Sequence, residues 1–466
     1  MCNSNRFVNF LFFCMSVFSF THAAMIKPNP ILSRGTGVTV KVSSGDATGL
    51  NDNKFGPYDN KKWTVSDNSW IALQLASGPK KVFFTFNCPD TSWSDSIGLS
   101  ADSCTKTVQY PVDYEIKTSA NSTTGADGDW TQAVTVTGNS VTARGHLIDF
   151  DGMTWVKMEI TKGNGKIDEV EAFDATNGAE DTWFFLGTKF TALMLKGSKA
   201  SGYASDKSPP DSTFASMVNL RNPTFTPAMI RGGVNCRVTT GDVVRDISKY
   251  FAVAGNVHFW AIELGTFDAW GGGTDNVASF KTNLQIIIDS CKAHGIQPVI
   301  ARIPATKSKA GWQVHADFLT AVDDLTKTNE LIAGADLKAY FSTTLGAYDL
   351  DDKGGVLPND YGNFEAQREW VKKMDTVVYK APPMAVTTRP AAFNQASHFT
   401  VLSKNGRLVL DAGLPGTVTQ FATDGRTIRK MQLSEAGGFP LGSAPGCFLV
   451  RFKSVKGVET VRVVNY

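Results

Sequence analysis

Four aromatic residues in the first third of the chain, Trp63, Trp93, Tyr110 and Trp130, stand near polar loops. A ring at a loop tip stacks on a pyranose at little entropic cost, which makes Trp63, Trp93 and Trp130 candidate carbohydrate contacts. Trp63 and Trp130 also fall at strand starts, where an indole serves a core equally well. Asp52, Asp59 and Asp67 are candidate oxygen ligands for a structural calcium ion, the one cofactor the residues suggest. No Cys/His cluster has zinc-ligand spacing, so no transition metal is expected. Among the histidines, His258 falls within a buried strand and His315 at a helix start, and neither lies in a recognisable catalytic motif.

Arg6, the apolar run Phe7 to Phe20 and Thr21-His22-Ala23-Ala24 read as a charged n-region, a short h-region and a small-residue cleavage site. Residues 1–24 are therefore expected to be a removed signal peptide, which places the protein outside the cell or on its outer surface. An oxidising compartment permits disulfides. Cys88 and Cys104 bracket a loop rich in Ser and Asp and are expected to pair, whereas Cys236 and Cys291 fall on separate elements and Cys447 is left over. No later apolar stretch is long enough to span a bilayer. The 466 residues carry 46 Lys plus Arg against 44 Asp plus Glu, a net charge of +2, which argues against a nucleic-acid partner. Oligomeric state is left open.

These residues need elements to position them. The length suggests about three domains, each large enough for its own core. From Ile31 to about Phe173, short alternating segments such as Trp70 to Leu75, Lys81 to Phe86 and Trp155 to Ile160 predict an antiparallel β-sandwich over 25–178. From Asp181, apolar strands alternate with amphipathic helices: strands at Thr182 to Leu186, Val257 to Leu264 and Pro298 to Ala301, and helices at Asp242 to Phe251, Val277 to Ala293, Ala316 to Thr326 and Phe364 to Met374. That alternation predicts an α/β/α domain over 179–378, flavodoxin-like in its parallel sheet, with any site at the strands' carboxyl ends. Ala381-Pro382-Pro383 opens a linker, 379–396, and a small C-terminal β-sandwich is expected over 397–466.

Four blocks of the central domain resemble the SGNH (GDSL-type) hydrolases: Asp181-Thr182-Trp183-Phe184-Phe185-Leu186-Gly187, Pro227-Ala228-Met229-Ile230-Arg231-Gly232-Gly233, Glu263-Leu264-Gly265-Thr266-Phe267-Asp268 and Pro358-Asn359-Asp360-Tyr361-Gly362-Asn363. The front segment resembles, more loosely, a discoidin-like or galactose-binding-like sandwich. In that family a Ser after the first strand attacks an acyl carbonyl, a His takes its proton and an Asp three residues earlier orients the His. Backbone N–H groups and an Asn side chain hold the oxyanion. Carried over position by position, the resemblance puts Lys189 where the nucleophile belongs, Phe267 at the oxyanion Asn, and Gly354 and Leu357 at the Asp and His. Only the backbone donor of Gly233, or of its neighbour Gly232, is retained.

The resemblance therefore implies an esterase fold without esterase chemistry: a pseudoenzyme that binds polysaccharide or a surface partner. Lys189, Phe267 and Asp268 form the candidate altered pocket, in which the Lys189 ammonium is expected to lie over the Phe267 ring with Asp268 or Glu263 as its counter-charge; the pocket is read either as a plug or as a shallow site for an anionic group such as a uronate. The rival reading is an active carbohydrate acyl esterase using Ser198, within Lys196 to Tyr203, as a displaced nucleophile, with His258 or His315 replacing the missing base. Asn405-Gly406-Arg407, Asp424-Gly425-Arg426 and Pro445 to Arg451 resemble the C-terminal sorting domains of bacteria with type IX-like export, which implies passage across an outer membrane.

Overall fold

The computed structural model describes residues 25–52, 62–75, 78–88, 110–195, 213–234, 237–304, 313–343, 358 and 360–380, and in the C-terminal part 399–404, 407–412, 415–422, 427–435, 437–442, 446–454 and 457–465. The predicted signal peptide lies outside them. The front unit runs β1 (Thr39–Val42), β2 (Trp63–Val65), β3 (Ser69–Gln74), β4 (Lys81–Asn87), β5 (Pro111–Ser119), β6 (Thr131–Val136), β7 (Ala143–Asp149), β8 (Trp155–Gly163), β9 (Gly165–Ile167) and β10 (Glu169–Asp174). A five-stranded sheet ordered β1-β3-β8-β5-β6 and a three-stranded sheet ordered β10-β4-β7 pair antiparallel throughout, as period-two alternation demands, and β2 pairs with β9. Ile71, Leu73, Phe84, Phe86, Tyr114, Met158 and Ile160 fill the space between the sheets.

The central unit comprises β11 (Thr182–Gly187), α1 (Lys189–Met194), α2 (Phe214–Arg221), β12 (Ala228–Gly233), α3 (Thr240–Arg245), α4 (Ile247–Ala254), β13 (Phe259–Glu263), α5 (Val277–Ala293), β14 (Gln297–Arg302), α6 (Ala316–Thr328), β15 (Ile332–Asp336), α7 (Leu337–Thr343) and α8 (Asp360–Val377). Its five strands are parallel in the order β12-β11-β13-β14-β15. β11 is buried on both faces and sends alternate side chains to opposite cores. Phe184 and Leu186 pack with Val243, Leu284 and Ile288 of the α3 to α6 side. Trp183 and Phe185 pack with Phe214, Phe341 and Trp370 of the α1, α2, α7 and α8 side. The single helix expected over Asp242 to Phe251 is two, broken at Asp246, whose carboxylate takes Arg245 at 2.8 Å and Lys249 at 2.7 Å.

Each unit has a core of its own, and a further cluster is shared between them. From Val82 on, β4 is buried on both faces: Val82, Phe84 and Phe86 face the sandwich, while Phe83 joins Ala143 and Phe173 in one cluster with Ile230, Trp260 and Leu186. Polar groups lock the seam, where Arg231 of β12 donates to the Asn87 side chain at 3.3 Å and to the Cys88 carbonyl, with Asp168 at 3.6 Å. Arg144 donates to the Ala252 carbonyl at 3.0 Å, and Asn256 to that of Gly145 at 3.0 Å. Residues 25–34 strap both units: Ile31 bridges to Phe173, Ile26 enters the α8-side core, and Met25 N–H donates to the Val378 carbonyl at 2.8 Å.

The C-terminal part contains β16 (Phe399–Lys404), β17 (Arg407–Ala412), β18 (Gly416–Ala422), β19 (Thr427–Leu433), β20 (Gly437–Gly442), β21 (Gly446–Ser454) and β22 (Gly457–Asn465). They form antiparallel sheets ordered β16-β17-β20 and β19-β18-β21-β22. Among the described residues no helix is long and apolar enough to cross a membrane.

Candidate functional site

In a parallel sheet of this order, the chain winds one way from the first strand and the other way from the third, opening a crevice between their carboxyl ends. Here that crevice lies between β11 and β13, which run in register from Trp183 opposite Phe259 to Gly187 opposite Glu263. Thr188 leaves β11 in extended geometry and its hydroxyl accepts from Phe190 N–H at 3.2 Å, starting α1. Lys189 is thereby the first helical residue, half-buried and with no ion pair among the described residues. Two glycines seat this helix: a Cβ on Gly187 would overlap Thr191 Oγ1, and one on Gly233 would overlap the Ala192 nitrogen. Gly233, expected as an oxyanion donor, therefore lies against the backbone of α1, while Gly232 lies against the Phe184 ring.

Beneath Lys189 the crevice is filled. Glu263 is 2% exposed, and its carboxyl accepts from three hydroxyls: Thr191 at 3.0 Å, Thr188 at 3.2 Å and Thr266 at 3.2 Å. Burial pushes this carboxyl up to about 7, while the hydroxyl donors pull it back down. Glu263 thus spends its acceptors on threonines, and Lys189 is not its partner. Thr188 and Thr191, three apart at the head of a helix, were the legible sign of such a carboxyl-binding face.

Phe267 and Asp268 diverge. Asp268, expected in the pocket, turns inward, accepting from Thr240 N–H at 3.0 Å and Thr240 Oγ1 at 2.6 Å at the start of α3, and burial raises its carboxyl. It anchors a helix and is not a binding group of the crevice. Phe267 does not pair with Lys189 either; it stacks on Trp270, ring centres 5.6 Å apart and 27° between planes. Trp270 is 41% exposed, with the Arg237 guanidinium carbon 4.6 Å from its ring centre. Neither Trp270 nor Arg237 was expected from sequence, although Trp270-Gly271-Gly272-Gly273 after a strand marks an exposed aromatic turn.

The histidines offer the crevice no base at the positions read from sequence. His258 precedes β13 at the sheet's amino end, its backbone N–H donating to Thr182, and burial lowers its imidazole. His315 caps α6 beyond β14, its Nδ1 accepting from Asp317 N–H at 3.3 Å. Ser198, Gly354 and Leu357 lie outside the described residues. A separate cleft between β14, β15 and α6 is lined by Arg302, Asp323, Lys327 and Asp336, but lies at the far edge of the sheet. Its Arg302 already pairs with Asp336 at 3.0 Å and Asp323 at 3.2 Å.

On the sandwich, Trp63 is 2% exposed and its indole N–H donates to the Ser44 carbonyl, so it is core and cannot stack on a sugar. Trp130 is half-buried; its indole donates to the Asp127 carbonyl at 2.8 Å, and Lys157 places its ammonium 3.9 Å from the ring centre. Trp93 lies outside the described residues, as do Cys104, the expected partner of buried Cys88, and Cys236. Cys291 is a buried free thiol. Asp67 accepts from Gly163 N–H at 2.9 Å, and Asp59 lies outside the described residues. Among those described, no three His, Cys, Asp or Glu side chains gather to hold a metal.

Fold and site together define an α/β unit with a five-stranded parallel sheet, packed against an antiparallel β-sandwich. Similar solved structures include a psychrotrophic esterase from Pseudoalteromonas sp., at 15% identity and TM-score 0.32, matching 43% of this chain and 98% of the esterase. An acetylxylan esterase from Geobacillus stearothermophilus matches at 13% identity and TM-score 0.34, over 42% of this chain and 95% of its own. Chitosan-binding module 1 of a chitosanase/glucanase from Paenibacillus sp. IK-5 matches at 18% identity and TM-score 0.21, over 32% of this chain and 98% of the module. No protein-family model and no curated protein matches the chain.

Proposed function

We propose that this protein is an exported, non-catalytic carbohydrate- or partner-binding protein, built on an SGNH-type esterase scaffold that has lost its catalytic groups and associated with polysaccharide breakdown. The observation that carries this reading is the filled crevice between β11 and β13. Acyl transfer needs a nucleophile, a base within hydrogen-bond reach and donors aimed at an oxyanion. The resemblance puts an ammonium, Lys189, at the nucleophile position and a phenyl ring, Phe267, at the oxyanion position, and the carboxyl between the strand ends, Glu263, is already satisfied by three threonines. A lost oxyanion donor alone costs roughly 3 kcal/mol of transition-state stabilisation. The predicted signal peptide and the sorting-domain resemblance of the C-terminal strands support export to the cell surface.

Purified protein incubated with aryl acetates and acetylated xylan should show no turnover above background, while co-sedimenting with insoluble polysaccharide. Turnover that disappears in Ser198→Ala would replace this reading with that of an active carbohydrate acyl esterase. Absence from every cellulose and xylan pellet would remove the carbohydrate half of it. Lys189→Ala tests the pocket itself, since undiminished polyuronate binding by that variant excludes Lys189 as the anion's partner.

A further inference from the structure

Beside the filled crevice, the turn after β13 carries a group of side chains that the esterase layout does not use. Its backbone is held by successive short-range bonds, Ala269 N–H to the Gly265 carbonyl at 2.9 Å and Gly272 N–H to the Ala269 carbonyl at 3.1 Å, which fixes the points from which its rings project. Phe267 backs the Trp270 indole, and the exposed Arg237 guanidinium lies against the same indole. The following glycines add no wall: a Cβ on Gly271 or Gly273 would meet nothing within 4 Å. An exposed aromatic with open space beside it, at the carboxyl end of a parallel sheet, is placed where such sheets take ligands.

The charge around it narrows the ligand. Among the described residues at this end of the domain, Glu263 is committed to its threonines, Asp268 to Thr240, and Asp242 to the Thr239 capping box and Arg245. Asp275 is the exposed carboxylate of the same turn. Against it stand Arg237 and Lys189, the latter at the carboxyl end of the adjoining strand. A planar guanidinium over an indole presents N–H donors that match a carboxylate, and the aromatic edge and face suit the apolar side of a sugar ring.

We propose that Arg237, Trp270 and Phe267 form a subsite for a uronate residue of an acidic polysaccharide, the pyranose lying on the aromatic group and its carboxylate on the guanidinium. This rests on the carbohydrate-binding reading above and supplies its ligand class. Affinity electrophoresis of the full chain in gels containing polygalacturonate, its methyl ester or neutral xylan tests it, using wild type, Trp270→Ala, Arg237→Gln and Trp130→Ala. Wild type should be retarded most by the free acid. Trp270→Ala should bind about tenfold more weakly, and Arg237→Gln should lose the preference for acid over ester. Trp270 is exposed, and an unchanged melting temperature confirms that its variant is folded. If wild type is retarded by polysaccharide but Trp270→Ala is retarded equally, the subsite is overturned while the carbohydrate reading stands. Loss confined to Trp130→Ala would move the site to the sandwich. An unchanged acid preference in Arg237→Gln overturns the uronate assignment, and a wild type retarded by none of the gels overturns the carbohydrate reading itself.

Discussion

Glu263 holds a carboxyl out of water among three threonine hydroxyls, and its protonation ties stability to pH. Its carboxyl rises from the ordinary 4.5 to about 7 on folding, so the folded state keeps the proton after the unfolded chain has released it. Stability from this group is therefore greatest in acid, falls as pH rises from about 4.5 to about 7, and is level above that. Glu263→Gln keeps an acceptor for the hydroxyls and cannot ionise. Above pH 7 the variant should be more stable than wild type by roughly 1–3 kcal/mol, the gap closing towards pH 4.5. Asp181, also pushed up to about 7 by burial, adds the same slope to both proteins, so the difference between their denaturation curves isolates Glu263. Parallel pH profiles would show that Glu263 is not the titrating group. Residue roles were the least legible part of the sequence. Lys189 and Phe267 were placed at the strand ends, yet Trp63 and Asp268 proved internal. An indole or carboxylate reads the same in sequence whether it serves a core, a helix start or a ligand, and only the partners, Ser44 and Thr240, decide.

Among the elements, α1 shows how close packing fixes the site. Its six residues are too few for intrinsic helical stability, so it persists because it sits directly on Gly187 and Gly233 and because Gln367 of α8 donates to the Met194 carbonyl at 2.9 Å. Gly233→Ala would force α1 away from the sheet and pull Thr191 from Glu263. The expected cost is about 1–3 kcal/mol, measured by urea denaturation. A neutral result would mean that α1 does not depend on that contact. Helices and strands were legible in proportion to length and periodicity. α5 matches its expected bounds from Val277 to Ala293, because Phe280, Leu284, Ile287 and Ile288 repeat on one face. α1, α7 and β15 were not foreseen, since six residues ending in Leu-Met or a strand reading Ile-Ala-Gly-Ala-Asp carries no decisive period.

At the scale of the molecule, the sandwich and the α/β unit share a packed seam because β4 is buried on both sides. Its sequence, Lys81-Val82-Phe83-Phe84-Thr85-Phe86-Asn87, alternates except at Phe83, and that one apolar residue on the polar face was the sequence's trace of a second core. Cut away from the sandwich, the α/β unit would expose Ile230 and Val234 on the side of edge strand β12 and would leave Arg231 without its Asn87 and Asp168 contacts. A fragment spanning 179–380 should therefore aggregate or bind a hydrophobic dye, whereas 25–380 should melt in one cooperative transition. Within the longer fragment, Arg231→Met should cost about 3 kcal/mol by removing the charge partner of a buried carboxylate at the seam. Hydrogen exchange would then show β4 and β12 losing protection together. If those strands instead open with different free energies, or if 179–380 folds as a stable monomer, the two units are independent, and a ligand held at Trp270 would have no mechanical route to the sandwich.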